Sequence, residues 1–195
     1  MSERILNVDH QESIEYSGKK FRSNLEAQTA KTLDELGVPY KYEERKIVLQ
    51  EGFRCPYQKD KVRELTYRPD FEIGSSILIE CKGFETPEWK IKKKLLFKWL
   101  MENEPGTCFY QIHDSKKQLL ETLDHQWSYL GYAVKVTPKA TRKVPNPQGR
   151  LYDSIDEAFE DLNLRGKPKG AILRSLTGKS PYVYGYSWEL KKISL

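Results

Sequence analysis

The sequence is poor in cysteine, with Cys55, Cys81 and Cys108 as its three, scattered and odd in number. No CxxC occurs, so neither a disulfide framework nor a thiolate zinc site is expected, and the pattern points to a reducing compartment. There is no run of the ~18 apolar residues that a membrane span requires, so an integral membrane protein is not expected. The opening MSERILNVDH lacks the apolar core of a signal peptide, so secretion is not expected either. Internal repeats and low-complexity tracts are missing as well. Aromatics, in contrast, are plentiful. They make up 12% of the residues, with four Trp and twelve Tyr, which argues for a packed core and against disorder. A length of 195 residues allows one domain, or one with a small appendage.

Charge is unevenly placed. The net charge is +5, yet residues 1–137 hold 22 Lys/Arg and 22 Asp/Glu, so the excess belongs to residues 138–195, with 11 basic and 6 acidic groups. Two acid-free runs supply it, KATRKVPNPQGR (139–150) and RGKPKGAILRSLTGK (165–179). A basic tail fits a polyanionic partner, nucleic acid before membrane; a solvated basic face is the plainer alternative.

Residues 1–16 read as a flexible arm. A helix is predicted over Ser23–Leu36, stopped by Gly37 and followed by Pro39. Tyr40–Leu49 reads as a strand and residues 50–65 as an irregular charged connection. Two short strands, Tyr67–Ile73 and Ile77–Lys82, are joined through Gly74-Ser75-Ser76. A Lys-rich amphipathic helix (Pro87–Met101), a strand (Thr107–Ile112), a helix (Lys116–Leu130) and a last strand (Tyr132–Val136) complete a mixed α/β core over residues 17–137. The proline-bearing stretch 138–150 reads as a basic linker. Residues 151–195 then form a compact unit. Ser154 and Glu157 make a capping box, and two short helices, the second over about Lys169–Thr177, resemble a helix-turn-helix.

Four residues carry the chemistry: Glu26, Asp70, Glu80 and Lys82. Glu80 and Lys82 are two apart, so on a strand they share a face, while Ile77, Ile79 and Cys81 turn to the core. A three-residue turn would pair Ile73 with Ile77 and bring Asp70 directly opposite Glu80. Two carboxylates that close repel unless a cation lies between them, and a hard divalent ion such as Mg²⁺ suits oxygen ligands. The Lys82 ammonium beside it would orient a water or stabilise charge developing on phosphorus. A surface salt bridge is the plain reading of any one of these residues. The combined Asp-x₉-Glu-x-Lys pattern on hairpin strands makes it the weaker reading of the set.

Pro69-Asp70 followed by Glu80-Cys81-Lys82 resembles the PD-(D/E)XK nuclease signature. FRSNLE (21–26), LGVPYKYEE (36–44), YRPDF (67–71) and IECKG (79–83) resemble, in that order, the bacteriophage endonuclease I family of Holliday-junction resolvases, over about residues 20–135. The resemblance implies a restriction-endonuclease-like mixed sheet flanked by helices. It also implies an active site of Glu26, Asp70, Glu80 and Lys82, with the three carboxylates binding Mg²⁺ or Mn²⁺. Further implications are phosphodiester hydrolysis in DNA and a homodimer, strand-swapped in that family. The C-terminal unit is similar to the NUMOD/IENR-type DNA-binding modules of homing endonucleases through Ser154, Glu157, Ala158, Leu162, Ile172, Leu176, Gly178, Lys179, Gly185, Tyr186 and Trp188.

The leading expectation is a Mg²⁺-dependent, sequence-directed endonuclease of the homing type, acting on double-stranded DNA in the cytoplasm of a bacterial or phage-infected cell. A structure-selective resolvase is the alternative, and a non-catalytic DNA-binding protein comes third. Expected DNA contacts are Arg22, Lys90, Lys93, Arg142, Lys143, Lys167, Lys169, Arg174 and Lys179. Ser23 is expected to be a helix cap, and His113 and His125 to be structural or surface residues.

Overall fold

The fold was obtained as a computed structural model, which describes residues 14–113 and 116–193. The expected arm lies outside the described residues except for its end, where β1 (Ile14–Tyr16) pairs with β2 (Lys19–Phe21). Helix α1 (Asn24–Leu36) starts at Ser23, whose side chain accepts the Glu26 N–H. It ends at Gly37, whose φ of 68° is the left-handed turn that glycine adopts without strain. Ala27, Ala30, Leu33 and Leu36 form its buried stripe.

The strand predicted over Tyr40–Leu49 is two strands. β3 (Tyr40–Tyr42) and β4 (Ile47–Gln50) belong to different sheets. The break is at Glu43, a non-glycine residue at φ 50°. Such a conformation costs about 1–2 kcal/mol, and here it is held by the Glu43 N–H donating to the Asp70 carbonyl at 3.0 Å. The connection expected to be irregular contains a small antiparallel ribbon, β5 (Phe53–Arg54) with β6 (Lys61–Val62), continuous with β7 (Leu65–Tyr67), which pairs with β4. The strand predicted over Tyr67–Ile73 is therefore also interrupted, at Arg68-Pro69-Asp70, before β8 (Phe71–Ile73).

β9 (Ile77–Cys81) is the centre of the molecule. Ile73 pairs with Ile77 as the turn length predicts, but the ladder stops at Phe71↔Ile79. Asp70 is thus not a rung opposite Glu80. Proline at 69 offers no N–H, and Asp70 lies just outside the ladder. α2 (Pro87–Asn103) follows, with Thr86 as N-cap, and leads to β10 (Cys108–Ile112), parallel to β9. The main sheet has the order β10-β9-β8-β3. All five β9 residues are buried, so the Glu80 face is not the open surface that alternation suggested. Ile77, Ile79 and Cys81 pack against α1, and Leu78 packs on the other side with Trp89, Leu96 and Leu100 of α2.

α3 (Lys116–Asp124) is shorter than predicted, since the chain turns at Trp127, which is fully buried. β11 (Tyr132–Pro138) then leaves the main sheet. It pairs antiparallel with β12 (Arg150–Tyr152) on one edge and β13 (Tyr186–Lys192) on the other. Against this second sheet lie α4 (Ile155–Asp161) and α5 (Leu173–Leu176), the latter entered through a 3-10 turn (Lys169–Ala171) that rests on α3. Trp188, Phe159 and Ile172 share one core with Phe21, Leu33 and Ile79. The molecule is therefore mixed α/β, with several small sheets and five α-helices among the described residues.

Candidate active site

Glu26 sits at the third position of α1, where a helix start leaves backbone N–H groups free. Its carboxylate oxygen Oε1 accepts from the Ser23 hydroxyl at 2.7 Å, and Oε2 accepts from the Arg22 N–H at 3.0 Å. Tyr42 of β3 adds a third donor, its hydroxyl lying 2.6 Å from Oε2. Ser23 is thus the cap the sequence predicted, and it also fixes Glu26.

Asp70 closes the gap between β7 and β8. Its Oδ2 accepts the Cys81 N–H at 2.6 Å, the bond by which it stays against β9 after the ladder has ended. Oδ1 has no hydrogen-bond partner among the described residues. Glu80, on β9, is 5% exposed. Its Oε2 accepts from the Tyr67 hydroxyl at 2.8 Å, and its Oε1 lies 3.3 Å from the Lys82 ammonium. Lys82 lies just past the end of β9. Its N–H donates to the Ile112 carbonyl at 2.8 Å, and its ammonium stands 5.1 Å from the centre of the Trp89 ring. About a third of its side chain remains exposed.

These four residues line one open cleft of about 480 Å³, together with Arg22, Glu43, Thr66, Tyr67, Arg68, Thr86, Trp89 and Lys92. Burial, and then the nearby Glu80 charge, push the Asp70 carboxyl up to about 8. Burial also pushes Glu80 up, although the bond from Tyr67 and the Lys82 charge pull the other way. The Tyr67 and Tyr42 hydroxyls are driven far above their usual range, by burial first and then by the carboxylates they serve. They stay protonated, so both remain hydrogen-bond donors. Two carboxylates that burial holds toward their neutral forms, with the Glu80 charge adding to this at Asp70 and the Glu26 charge at Glu80, are the donor set a hard cation would relieve.

A second acidic group has a different character. The ligand atoms of Asp124, His125 and Asp156 lie within 4.8 Å of one another, a closeness not found for Glu26, Asp70 and Glu80. That arrangement is compatible with a divalent metal. However, both Asp124 oxygens already accept N–H bonds from the first turn of α4, from Ile155 at 2.7 Å and Asp156 at 3.3 Å. Asp156 is also ion-paired with Lys169. These contacts account for the cluster as the fastening of α4 to the end of α3.

The other expected site residues are dispersed. Arg22 is at the cleft and pairs with Glu43 at 3.0 Å. Lys90 is exposed on α2, while Lys93 turns toward Glu85 and Gln111. Arg142, Lys143, Lys167 and Arg174 are exposed on the C-terminal half. Lys179 grips Glu35 of α1 at 2.7 Å, which ties the C-terminal unit to the rest of the chain. His113 bonds the Lys82 carbonyl at 2.8 Å, and His125 lies on the surface near Asp156. Sequence reasoning missed Tyr42, Tyr67 and Trp89. Tyrosines at strand positions look like ordinary β-formers, and only the folded structure shows which carboxylate each one meets.

A family model described as phage endonuclease I matches residues 9–105, just under half of the chain and the part that contains all four cleft residues. This supports a phage endonuclease family, and with it a nuclease acting on DNA. No curated protein and no solved structure matches. No helix among the described residues is long and apolar enough to cross a membrane.

Proposed function

We propose that the protein is a metal-dependent DNA endonuclease of the PD-(D/E)XK type, with Asp70, Glu80 and Glu26 holding the ion and Lys82 acting beside it. The observation that carries this reading is the convergence of these four side chains in one cleft, with Asp70 and Glu80 both resisting ionisation. When bound, Mg²⁺ or Mn²⁺ supplies Lewis-acid polarisation of the phosphate and lowers the pKa of a water. Asp70 presents Oδ1, because the Cys81 N–H occupies Oδ2. Tyr67 and Tyr42 fix the rotamers of Glu80 and Glu26 by donating to one oxygen of each. Lys82, held between Glu80 and the Trp89 ring, places a positive charge at the open side of the cleft. There it orients a water for in-line attack and stabilises charge developing on the phosphoryl oxygens. Arg22, Arg68 and Lys92 on the rim supply charge for the flanking phosphates.

For substrate, the reading is sequence-directed cutting of duplex DNA, as in homing endonucleases, with the exposed Arg142, Lys143, Lys167 and Arg174 extending the contact. Lys90 and Lys93 of α2 complete the contact set on the cleft side, and Lys169 and Lys179 combine a phosphate role with their ion pairs. A junction-resolving activity is the second reading, favoured by the family match over residues 9–105. A homodimer suits either, since paired cuts need two cleft centres. The discriminating experiment uses the full-length chain with Mg²⁺ on a four-way junction and on long linear duplex, with ends mapped. Arg142, Lys143 and Arg174 are then replaced together by alanine. Unique duplex cuts that vanish in the triple variant support the homing reading. Junction cutting that is indifferent to sequence and unaffected by the substitutions supports the resolvase reading. No Mg²⁺-dependent cutting of either substrate rejects both.

A further inference from the structure

The ribbon formed by β5 and β6 carries charge that the cleft does not use. Its register places Arg54 directly opposite Lys61, and Phe53 opposite Val62. Directly opposed side chains share one face of a ribbon, and like charges in that position destabilise it. Arg54 and Lys61 are both exposed, and neither has an ion-pair or hydrogen-bond partner among the described residues. Lys59 and Arg63 are exposed on either side. Residues 51–64 hold four basic and three acidic groups, and one of the acids, Glu64, is engaged by Lys46 at the base. At the tip Tyr57 is 94% exposed, and Phe53 along the ribbon is 47% exposed.

The ribbon is a built feature. At Gly52 a Cβ would fall 3.0 Å from the Val62 carbonyl oxygen and 3.1 Å from the Glu64 nitrogen, so the two strands approach as closely as glycine permits. It also has a defined root. β6 passes through Arg63 and Glu64 into β7, whose Thr66 and Tyr67 line the catalytic cleft. The ribbon is therefore joined through the chain to a strand that forms one wall of the cleft.

An anion lying between two opposed cations removes their repulsion, and a nucleic-acid backbone offers such anions in a row. Exposed aromatic rings beside the cations pack on sugars and bases. We propose that residues 51–64 are a DNA-contacting wing. Arg54 and Lys61 clasp backbone phosphates of the strand that continues out of the cleft, and Tyr57 rests on the nucleic acid beyond them. This rests on the endonuclease reading of the cleft and adds a binding site to it.

The test is the full-length double variant Arg54→Ala/Lys61→Ala, compared with wild type by fluorescence anisotropy on a labelled duplex in chelator, over a range of salt. The expected result is a ten- to hundredfold weaker affinity. The log–log salt dependence should become shallower by about 1.8, since each phosphate contact on duplex DNA contributes a slope of about 0.9. The Mg²⁺-dependent cutting rate at saturating DNA should stay near wild type, because neither residue touches the reacting phosphate. Unchanged affinity and slope, with a wild type that cuts, overturn the wing and leave the endonuclease reading standing. Unchanged DNA affinity with loss of a wild-type dimer in sedimentation also overturns it, and assigns the ribbon to self-association. A ribbon-dependent slope in a wild type that does not cut supports the wing and rejects the nuclease. A wild type that binds no duplex rejects both.

Discussion

Replacing Asp70 by asparagine should change how stability depends on pH. The Asp70 carboxyl is pushed from 3.8 up to about 8, by burial first and the Glu80 charge second. Between these values the unfolded chain has lost the proton that the folded chain keeps. A group raised in this way contributes stability that is complete below the unfolded value and is lost as pH rises through the folded value. Each pH unit in that window removes about 1.4 kcal/mol. From pH 6 to pH 8, allowing for partial ionisation near 8, Asp70 alone removes about 2 kcal/mol as an upper figure. Asparagine cannot ionise, and its side-chain oxygen still accepts the Cys81 N–H. Urea unfolding of both proteins at pH 6 and pH 8, in chelator, reads the difference. Wild type should lose about 2 kcal/mol more than Asp70→Asn over that interval. At pH 8 the variant should be the more stable protein. Adding Mg²⁺ at pH 8 should raise the melting temperature of wild type and leave Asp70→Asn nearly unmoved. Parallel pH profiles for the two proteins would show that Asp70 is already ionised in the folded state, and the argument for a cation-seeking pair would fall.

Tyr67→Phe removes the donor to the buried Glu80 Oε2 and should cost about 1–3 kcal/mol in urea unfolding; it should also raise the Mg²⁺ concentration for half-maximal cutting, seen in a metal titration. Trp188→Ala opens the core shared by the two halves and should cost about 3–5 kcal/mol, read as one cooperative transition moving down; two separate transitions would show that the halves unfold independently. Ser23→Ala deletes both the helix cap and one Glu26 contact, so stability should fall by about 1 kcal/mol, and cutting should need more Mg²⁺ than in wild type.

The parts of the fold legible in the sequence were those with local causes. Ser23, Gly37 and Ser154 announce helix ends because capping is a contact of a few residues, and each is found at its helix end. Asp70, Glu80 and Lys82 were picked out by alternation on a strand and a short turn, which are also local rules, whereas Glu26, on α1, rested on the family resemblance. The direct pairing of Asp70 with Glu80 did not form, because the ladder ends at Phe71. The breaks in the strands at Glu43 and at Arg68–Asp70 were not legible. Each is stabilised by the other, through the Glu43 N–H on the Asp70 carbonyl, and neither stretch alone signals it. The departure of β11 from the main sheet was hidden for a similar reason. Tyr132–Val136 reads as a strand by composition, but its partners come from residues 150–152 and 186–192, and a one-dimensional reading does not choose between distant strands. The same pairing bears on any plan to study the core alone, because a chain ending near Val136 would leave β11 without either neighbour.

The most direct test of the central claim compares wild type, Asp70→Ala and Lys82→Ala in Mg²⁺-dependent cutting of DNA, with binding measured in parallel in chelator. Both variants should bind DNA close to wild-type affinity and cut it at least a hundredfold more slowly, about 3 kcal/mol in activation free energy. Cutting that persists in Asp70→Ala would contradict the account, and would move the chemistry out of this cleft.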